Sequence, residues 1–367
     1  MSDETTIPAM HPAHPQIPFS RPATPQTEPR KIGFYGLGNI GYLMARNLAT
    51  HKSSVTSPVS PPLLVYNRTV SKSEKLVKEV GGESKIRIAQ SAAQLAIECD
   101  VIITNLANDD VVKHVYVEFS KALAQSPPTK NKIFVETSTI YPCLAGELNG
   151  LISQHPRSHL ITCPVFGTPP VADKALMVFA MSGNYQSKKE VSYLLVPAVG
   201  RQVYDLGENL EKVIAFEAPT FKLIGNSMVL GCLEVLAEAQ TMSKKSGLGA
   251  EAAYDLVKEL LSAGPFFEFG TKMLNDSFDG TKGFGIDGGI KDASHMRRLT
   301  QAHNSPMPAV DAAHSHLLTA RALYSAQKLQ GTQQFDTLDS SALVAGARVA
   351  AGLDGFDSGK HSKVIKE

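Results

Sequence analysis

Lys31-Ile32-Gly33-Phe34-Tyr35-Gly36-Leu37-Gly38-Asn39-Ile40-Gly41 is the stretch whose reading decides the fold. Its first five residues form a short apolar run bounded by glycine, as a buried parallel strand would. Leu43, Met44, Asn47 and Leu48 follow at helical spacing, which predicts a helix from Ile40 to about Thr50. Between strand and helix lies Gly36-x-Gly38-x-x-Gly41. The first glycine permits a tight turn, the second lets backbone approach a pyrophosphate, and the third brings helix against strand. Free N–H groups and the positive dipole end of the helix complete a phosphate cradle. A glycine triplet alone is a weak signal, but this one sits where a strand ends and a helix opens. It predicts a dinucleotide-binding Rossmann unit with Gly36, Leu37, Gly38, Asn39, Ile40 and Gly41 as cofactor contacts.

Outward from this loop, Leu63–Tyr66, Arg87–Ile88, Val101–Thr104, Ile133–Val135, Leu160–Ile161, Met177–Ala180 and Gln202–Tyr204 read as further strands, with helical patterns between most of them. A helix through Lys72 to Val80 stops at Gly81-Gly82. This alternation predicts an α/β domain with a mainly parallel sheet covered on both faces. His51 to Pro62, rich in serine and proline, reads as a surface insertion. After Ala218 the strand signal stops. Helical segments run to Gln330, so an all-α C-terminal domain is expected, joined through a long interdomain helix from Thr220 to Ser246 that ends at Gly247. Such a helix, roughly 40 Å long, has to be covered by the rest of the chain or by a second subunit. The expected organisation is a disordered tail over 1–30, the Rossmann domain over 31–217, a helical substrate and dimerisation domain over 218–350, and a flexible tail over 351–367. Ile7 to Pro29 is crowded with prolines and short of aliphatic residues. His11 and His14 within it are not expected to bind metal.

Lys and Arg number 36 against 35 Asp and Glu, which argues against a surface built for nucleic acid. Cys99, Cys143, Cys163 and Cys232 form no CxxC pair, so neither a metal site nor a disulfide framework is expected. Met1-Ser2-Asp3-Glu4 opens no basic or apolar leader, and no uncharged apolar stretch approaches the ~20 residues that cross a bilayer. The expectation is a cytoplasmic enzyme with a small-molecule substrate and neither a nucleic-acid nor a membrane partner.

Cofactor choice is read at the end of the second strand, where an NAD-preferring site places Asp or Glu on the ribose hydroxyls. Here the residues are Asn67-Arg68-Thr69. Arg68 can pair with a 2′-phosphate through charge-assisted hydrogen bonds, and Asn67 and Thr69 can donate further ones. NADP, as NADPH in reduction, is therefore expected over NAD. Arg68 as a solvated residue stacked on the adenine is the plainer alternative.

With these residues in hand the chain resembles the β-hydroxyacid dehydrogenases, which include 3-hydroxyisobutyrate dehydrogenase and the succinic-semialdehyde or glyoxylate reductases and share the NADP-binding domain of 6-phosphogluconate dehydrogenase. The resemblance spans roughly residues 31 to 330. It rests on the glycine loop with Met44-Ala45-Arg46-Asn47-Leu48, on Val101-Ile102-Ile103-Thr104-Asn105-Leu106, Glu136-Thr137-Ser138-Thr139-Ile140 and Lys222-Leu223-Ile224-Gly225-Asn226, and on Lys291-Asp292. It implies an active site between the two domains and assembly as a homodimer or dimer of dimers. By the same resemblance Leu106 and Thr139 contact the nicotinamide half, Ser138 a substrate carboxylate, and Lys291 the cofactor or substrate, while Lys222 is the catalytic lysine.

Chemistry is compatible with that role. Hydride transfer between a hydroxyl carbon and nicotinamide needs a proton moved on the oxygen, and a lysine in the first turn of a helix lies at the dipole end that favours its neutral form. Asn226, four residues on, shares its face and can orient the ammonium or the substrate oxygen. Spacing alone favours a solvated polar face; the resemblance reverses this. One stretch departs from the family. Where a serine-glycine-glycine substrate loop is usual, the chain has Cys163-Pro164-Val165-Phe166-Gly167-Thr168-Pro169-Pro170. Phe166, Gly167 and Thr168 remain substrate-binding candidates. Phe166 implies either a bulkier, less polar substrate or a packing role with binding left to backbone N–H groups.

His314 and His316 read as surface or capping histidines, Lys244-Lys245 as charges complementing a helix end, and Glu238 as a buried structural carboxylate. The leading expectation is an NADP-dependent oxidoreductase interconverting a short-chain β-hydroxy acid and its aldehyde or ketone. An imine reductase or reductive aminase, and a non-catalytic NADPH-binding protein, are the alternatives.

Overall fold

The structure, a computed structural model, describes residues 15–20, 29–51, 61–208, 217–260 and 264–359. Most of the expected insertion at His51–Pro62, and His11 and His14, lie outside the described residues. The chain divides into two compact units, Pro12–Lys222 and Leu223–Glu367.

In the first unit, strands β1 (Ile32–Tyr35), β2 (Leu63–Tyr66), β3 (Ile86–Ile88), β4 (Val101–Thr104), β5 (Lys132–Glu136), β6 (Ser158–Thr162), β7 (Val165–Phe166), β8 (Met177–Gly183) and β9 (Gly200–Asp205) form one sheet. Helices α1 (Asn39–Thr50), α2 (Val70–Val80), α3 (Ala92–Glu98), α4 (Asp109–Gln125), α5 (Pro142–Ser153), α6 (Pro169–Asp173) and α7 (Tyr185–Leu195) connect them. The strand order is β3-β2-β1-β4-β5-β6-β8-β7, with β9 also on β8. From β3 to β6 all pairs are parallel, β8 runs antiparallel to β6 and β7, and β9 is parallel to β8. The sheet reverses its winding between β1 and β4, and ligands of open α/β sheets bind outside the carboxyl ends of strands at such a point.

Alternation of side chains explains why both faces are covered. Val65, Ile103 and Val135 pack with Met44 of α1 and Leu76 of α2. Their neighbours Leu64, Ile102 and Phe134 point the other way, onto Leu95, Phe119 and Leu148 of α3, α4 and α5. Each central strand is thus apolar at consecutive positions, as buried parallel strands are.

Part of the expected N-terminal tail is docked. Gln16 donates its N–H to Arg201 O at 2.8 Å and accepts from Val203 N at 2.9 Å, extending the sheet past β9. Phe19 is buried, edge-on to Tyr185, and its carbonyl accepts from the Tyr193 hydroxyl. One aromatic anchor with strand-like hydrogen bonds outweighs the ordering entropy that proline-rich composition leaves uncompensated. It also covers an edge strand.

The second unit is helical. Helix α8 (Glu217–Lys245) enters it, followed by α9 (Ala250–Leu260), α10 (Gly264–Leu274), α11 (Ile286–His303), α12 (Pro308–Gln330) and α13 (Val344–Ala350). Its core gathers Leu223, Leu230, Leu233, Leu236 and Ala237 of α8 with Phe269, Met273, Ile290, Met296, Val310 and Leu317. On length and composition α8 would pass as a membrane span, and the helical core takes up one of its faces. The other face leaves Ile224, Met228, Val235 and Met242 exposed.

Three expectations for this unit are corrected. Glu238 is exposed, and the buried carboxylate is Glu234, which pairs with His316 Nδ1 at 2.8 Å. Burial pushes the Glu234 carboxyl up while His316 pulls it down. His314 is no surface residue either: it is buried, between Ser294 and Arg297. Residues 354–359 of the expected flexible tail are docked: Phe356 packs edge-on against Phe278, and Asp276 accepts from both Ser358 N and its hydroxyl; the rest of that tail lies outside the described residues.

Candidate cofactor and catalytic site

The carboxyl ends of β1 and β4 carry the glycine loop. At Gly36, φ is +104° and a Cβ would stand 2.1 Å from Asn105 O; at Gly41 a Cβ would stand 2.1 Å from Gly36 O. Around Gly38 the space within 4 Å of a built Cβ is empty. The first and third glycines are demanded by the protein's own packing, whereas the second leaves a cradle that a Cβ would fill. Gly38 caps α1 with no side-chain hydrogen bond, and the first turn of α1 carries no acid. The residues present therefore fit a pyrophosphate on the N–H groups of Gly38, Asn39 and Ile40.

Asn67 holds this loop rather than waiting for ligand. Its carboxamide accepts from Leu37 N at 2.9 Å and donates to Thr69 O at 3.0 Å, so the β1 and β2 ends are tied together. Arg68 and Thr69 are exposed beside it. Leu37 is buried and contributes packing and its N–H.

Next to β1, parallel strands β4 and β5 bring Thr104 opposite Glu136. Glu136 is fully buried. Its carboxylate accepts from Thr104 Oγ1 at 2.7 Å and from Ser138 N at 2.6 Å. Tyr116, also fully buried, lies 3.2 Å from Thr104 Oγ1. Burial, then the Glu136 charge, pushes the Tyr116 phenol well up, and the same two causes raise the buried Cys163 thiol. Ser138 accepts from Leu106 N at 2.7 Å and is itself buried, so it ties the β4 and β5 loops together. Thr139 next to it is half-buried. The sequence motif contains Glu136, but nothing in its spacing marks it as the acceptor that shapes the turn.

The departing loop follows β7. Gly167, at φ +148°, admits no Cβ, which would stand 2.5 Å from Met177 Sδ. Thr168 caps α6 with no side-chain hydrogen bond. Phe166 lies with its ring 4.5 Å from Lys222 Nζ, and Phe221 meets that ring edge-on at 5.8 Å. Lys222 is only 8% exposed. Because α8 starts at Glu217, Lys222 falls in its second turn rather than the first, where the dipole contribution is already fading.

In the helical unit, Asn226 donates to Asp292 Oδ2 at 2.7 Å, and Lys291 Nζ is 3.3 Å from Asp292 Oδ1. Asp292 is buried. Asn226 and Lys291 are therefore brought together through a carboxylate that the sequence reading left without a role.

Two family models match the chain: the NAD-binding domain of 6-phosphogluconate dehydrogenase over residues 31–207, and the NAD-binding domain of NADP-dependent 3-hydroxyisobutyrate dehydrogenase over residues 217–334. An uncharacterized oxidoreductase of Bacillus subtilis is 28% identical over 286 residues, covering 78% of this chain and 92% of the relative. The mitochondrial 3-hydroxyisobutyrate dehydrogenase of Drosophila melanogaster is 26% identical over 329 residues, covering 86% and 91%. Among solved structures, 3-hydroxyisobutyrate dehydrogenase of Mycobacterium tuberculosis with L-serine shares the fold at a TM-score of 0.66 and 22% identity, covering 88% of this chain and 100% of that one.

Proposed function

This chain belongs to the β-hydroxyacid dehydrogenase family and is an NAD(P)-dependent oxidoreductase acting on CH–OH groups, and we propose that it uses NADP(H) and Lys222 to interconvert a short-chain β-hydroxy acid resembling 3-hydroxyisobutyrate and its aldehyde or ketone. The observation that carries the reading is the buried Lys222 ammonium, held against Phe166 in the same compact unit as the glycine loop. Preference for NADP is supported by Arg68, exposed at the β2 end, where the sequence reads Asn67-Arg68-Thr69 in place of an Asp or Glu.

When bound, the nicotinamide accepts or returns the hydride. The chain's own residues do the rest. In oxidation, neutral Lys222 takes the hydroxyl proton as the C–H bond gives up its electron pair and the C=O bond forms; in reduction its ammonium returns that proton to the oxygen. Gly38, Asn39 and Ile40 would hold the phosphates and Leu106 and Thr139 the nicotinamide half, while Ser138, in the turn shaped by Glu136, would meet the substrate carboxylate. Within the helical unit, Asp292 organises Asn226 and Lys291. The exposed apolar face of α8 supports self-association.

Lys222→Ala tests the reading. Turnover of 3-hydroxyisobutyrate with NADP+ should fall by about 10²–10⁴-fold, the range for a lost general acid–base, with NADPH binding retained. Undiminished turnover would remove Lys222 from the mechanism. Turnover of cyclic imines with no turnover of hydroxy acids or semialdehydes would replace the substrate class.

A further inference from the structure

The surroundings of Lys222 are aromatic on the side from which a substrate would be selected. Phe166 presents its ring to Lys222 Nζ at 4.5 Å. Phe221 stands edge-on to Phe166, at 5.8 Å and 85°, and Tyr204 of β9 follows at 5.5 Å and 52° from Phe221. Packing alone would bury these rings. Instead they stay in part accessible: Phe166 is half-buried, Phe221 is 37% exposed and Tyr204 is 42% exposed. The three come from β7, the start of α8 and β9, all within the unit that ends at Lys222.

A ring face carries partial negative charge, so it attracts the ammonium and repels a carboxylate laid on it. A carboxylate there would also give up water without gaining a donor. Whatever lies along this step is therefore uncharged and apolar, and flat groups fit its edge-to-face geometry best.

We infer that Phe166, Phe221 and Tyr204 form a subsite beside Lys222 for an apolar, preferably aromatic, substituent next to the reacting carbon, so that among short-chain β-hydroxy acids the enzyme prefers an aryl over a methyl substituent at that carbon. The inference rests on the reading of Lys222 as the proton-transferring group. The carboxylate of such a substrate lies off the rings.

The test compares 3-hydroxy-2-phenylpropanoate with 3-hydroxy-2-methylpropanoate, which differ only by phenyl for methyl, using the full chain saturated with NADP+. The phenyl compound should show a kcat/KM about tenfold higher or more, mostly through KM, as an added stacking contact with its buried area implies. Phe166→Ser should reverse the preference. Phe221→Ala, at an exposed position that leaves folding intact, should reduce it by about fivefold. In parallel, binding of the unreactive 2-phenylpropanoate and 2-methylpropanoate to the NADP+-loaded protein is measured by calorimetry. If neither hydroxy acid turns over, the lysine reading fails. Tighter binding of 2-phenylpropanoate that is lost in Phe221→Ala would still support the subsite. Equal binding of the two acids, or a preference unchanged in both variants, would overturn it.

Discussion

Replacing Gly38 by alanine should separate cofactor binding from folding. At Gly38 the backbone is extended, with φ −71° and ψ −174°, and an added Cβ meets nothing within 4 Å. Alanine adopts that conformation without strain, and removing glycine's freedom from the unfolded chain is worth about 0.4–1 kcal/mol of added stability. In a unit of this size that raises the melting temperature by about 1–4 °C. The methyl group would occupy the space over the α1 N-terminus where a pyrophosphate has to sit. Losing one charge-assisted hydrogen bond, about 1.5–3 kcal/mol, weakens NADPH binding by about 12- to 150-fold. Gly36→Ala and Gly41→Ala serve as contrasts, because each built Cβ stands 2.1 Å from a carbonyl oxygen, and Gly36 is also at positive φ. Both should lose about 1–3 kcal/mol or more of stability. Circular dichroism melts and titration of NADPH fluorescence, undisturbed by tryptophan since the chain has none, give the two readouts. Wild-type NADPH affinity in Gly38→Ala would refute the placement of the pyrophosphate, and a melt as low as that of Gly41→Ala would refute the claim of open space.

Arg68→Ala should weaken NADPH by about 10- to 100-fold while leaving NADH nearly unchanged, as expected for loss of a charged hydrogen bond to one phosphate. Equal losses for both nucleotides would assign Arg68 to the adenine instead. A second expectation concerns His314, whose imidazole is held below its ordinary range by burial and then by Arg297 and Arg321, with Asp311 opposing. Arg297 Nη1 lies 3.2 Å from Nδ1, and because a guanidinium only donates, Nδ1 accepts and the ring is neutral in the fold. Ser294 Oγ faces Nε2 at 3.2 Å and gives its own proton to Ile290 O. Below about pH 6.5 the unfolded chain takes up a proton here that the folded chain takes up only at lower pH. The neutral ring's contribution is therefore complete above that value and is lost as pH falls through the window down to the lowered one. The melting temperature of wild type should drop more between pH 7.5 and 5.5 than that of His314→Gln; parallel drops would refute the assignment.

Much of the fold was legible because it rests on consecutive backbone patterns. The central parallel strands β1, β2 and β4 and the core of β5 announce themselves as short apolar runs, since each is buried on both faces. Strand β7, with two residues, is too short to show any period. The docked segment around Phe19 was hidden because one aromatic residue, meeting Tyr185 and Tyr193 far along the chain, outweighs a composition that reads as tail. Glu238 and Glu234 illustrate another limit. Both lie on α8, but Glu234 falls on the buried face with Leu230 and Ala237 and meets His316 of α12, whereas Glu238 is exposed.

The same distinction divides the candidate site. On its cofactor side the requirements are local: Gly36 and Gly41 are fixed by carbonyls within the strand-to-helix turns, and Gly38 by the space that must stay empty. The glycine spacing marks these requirements in the sequence even though one of the carbonyls, Asn105 O, comes from the neighbouring strand end, so the motif can be read without a structure. Beside Lys222 the Phe166 ring is followed by Phe221 and then Tyr204, three residues that end or begin different elements and share no period. These rings are partly open, so changing one alters what lies beside the lysine without disturbing the central sheet. Substitution at such positions can retune substrate choice while the glycine loop stays constrained by its own backbone. That asymmetry is the physical reason the cofactor class follows from the sequence, whereas the substrate preference inferred above rests on where three separated aromatic residues meet.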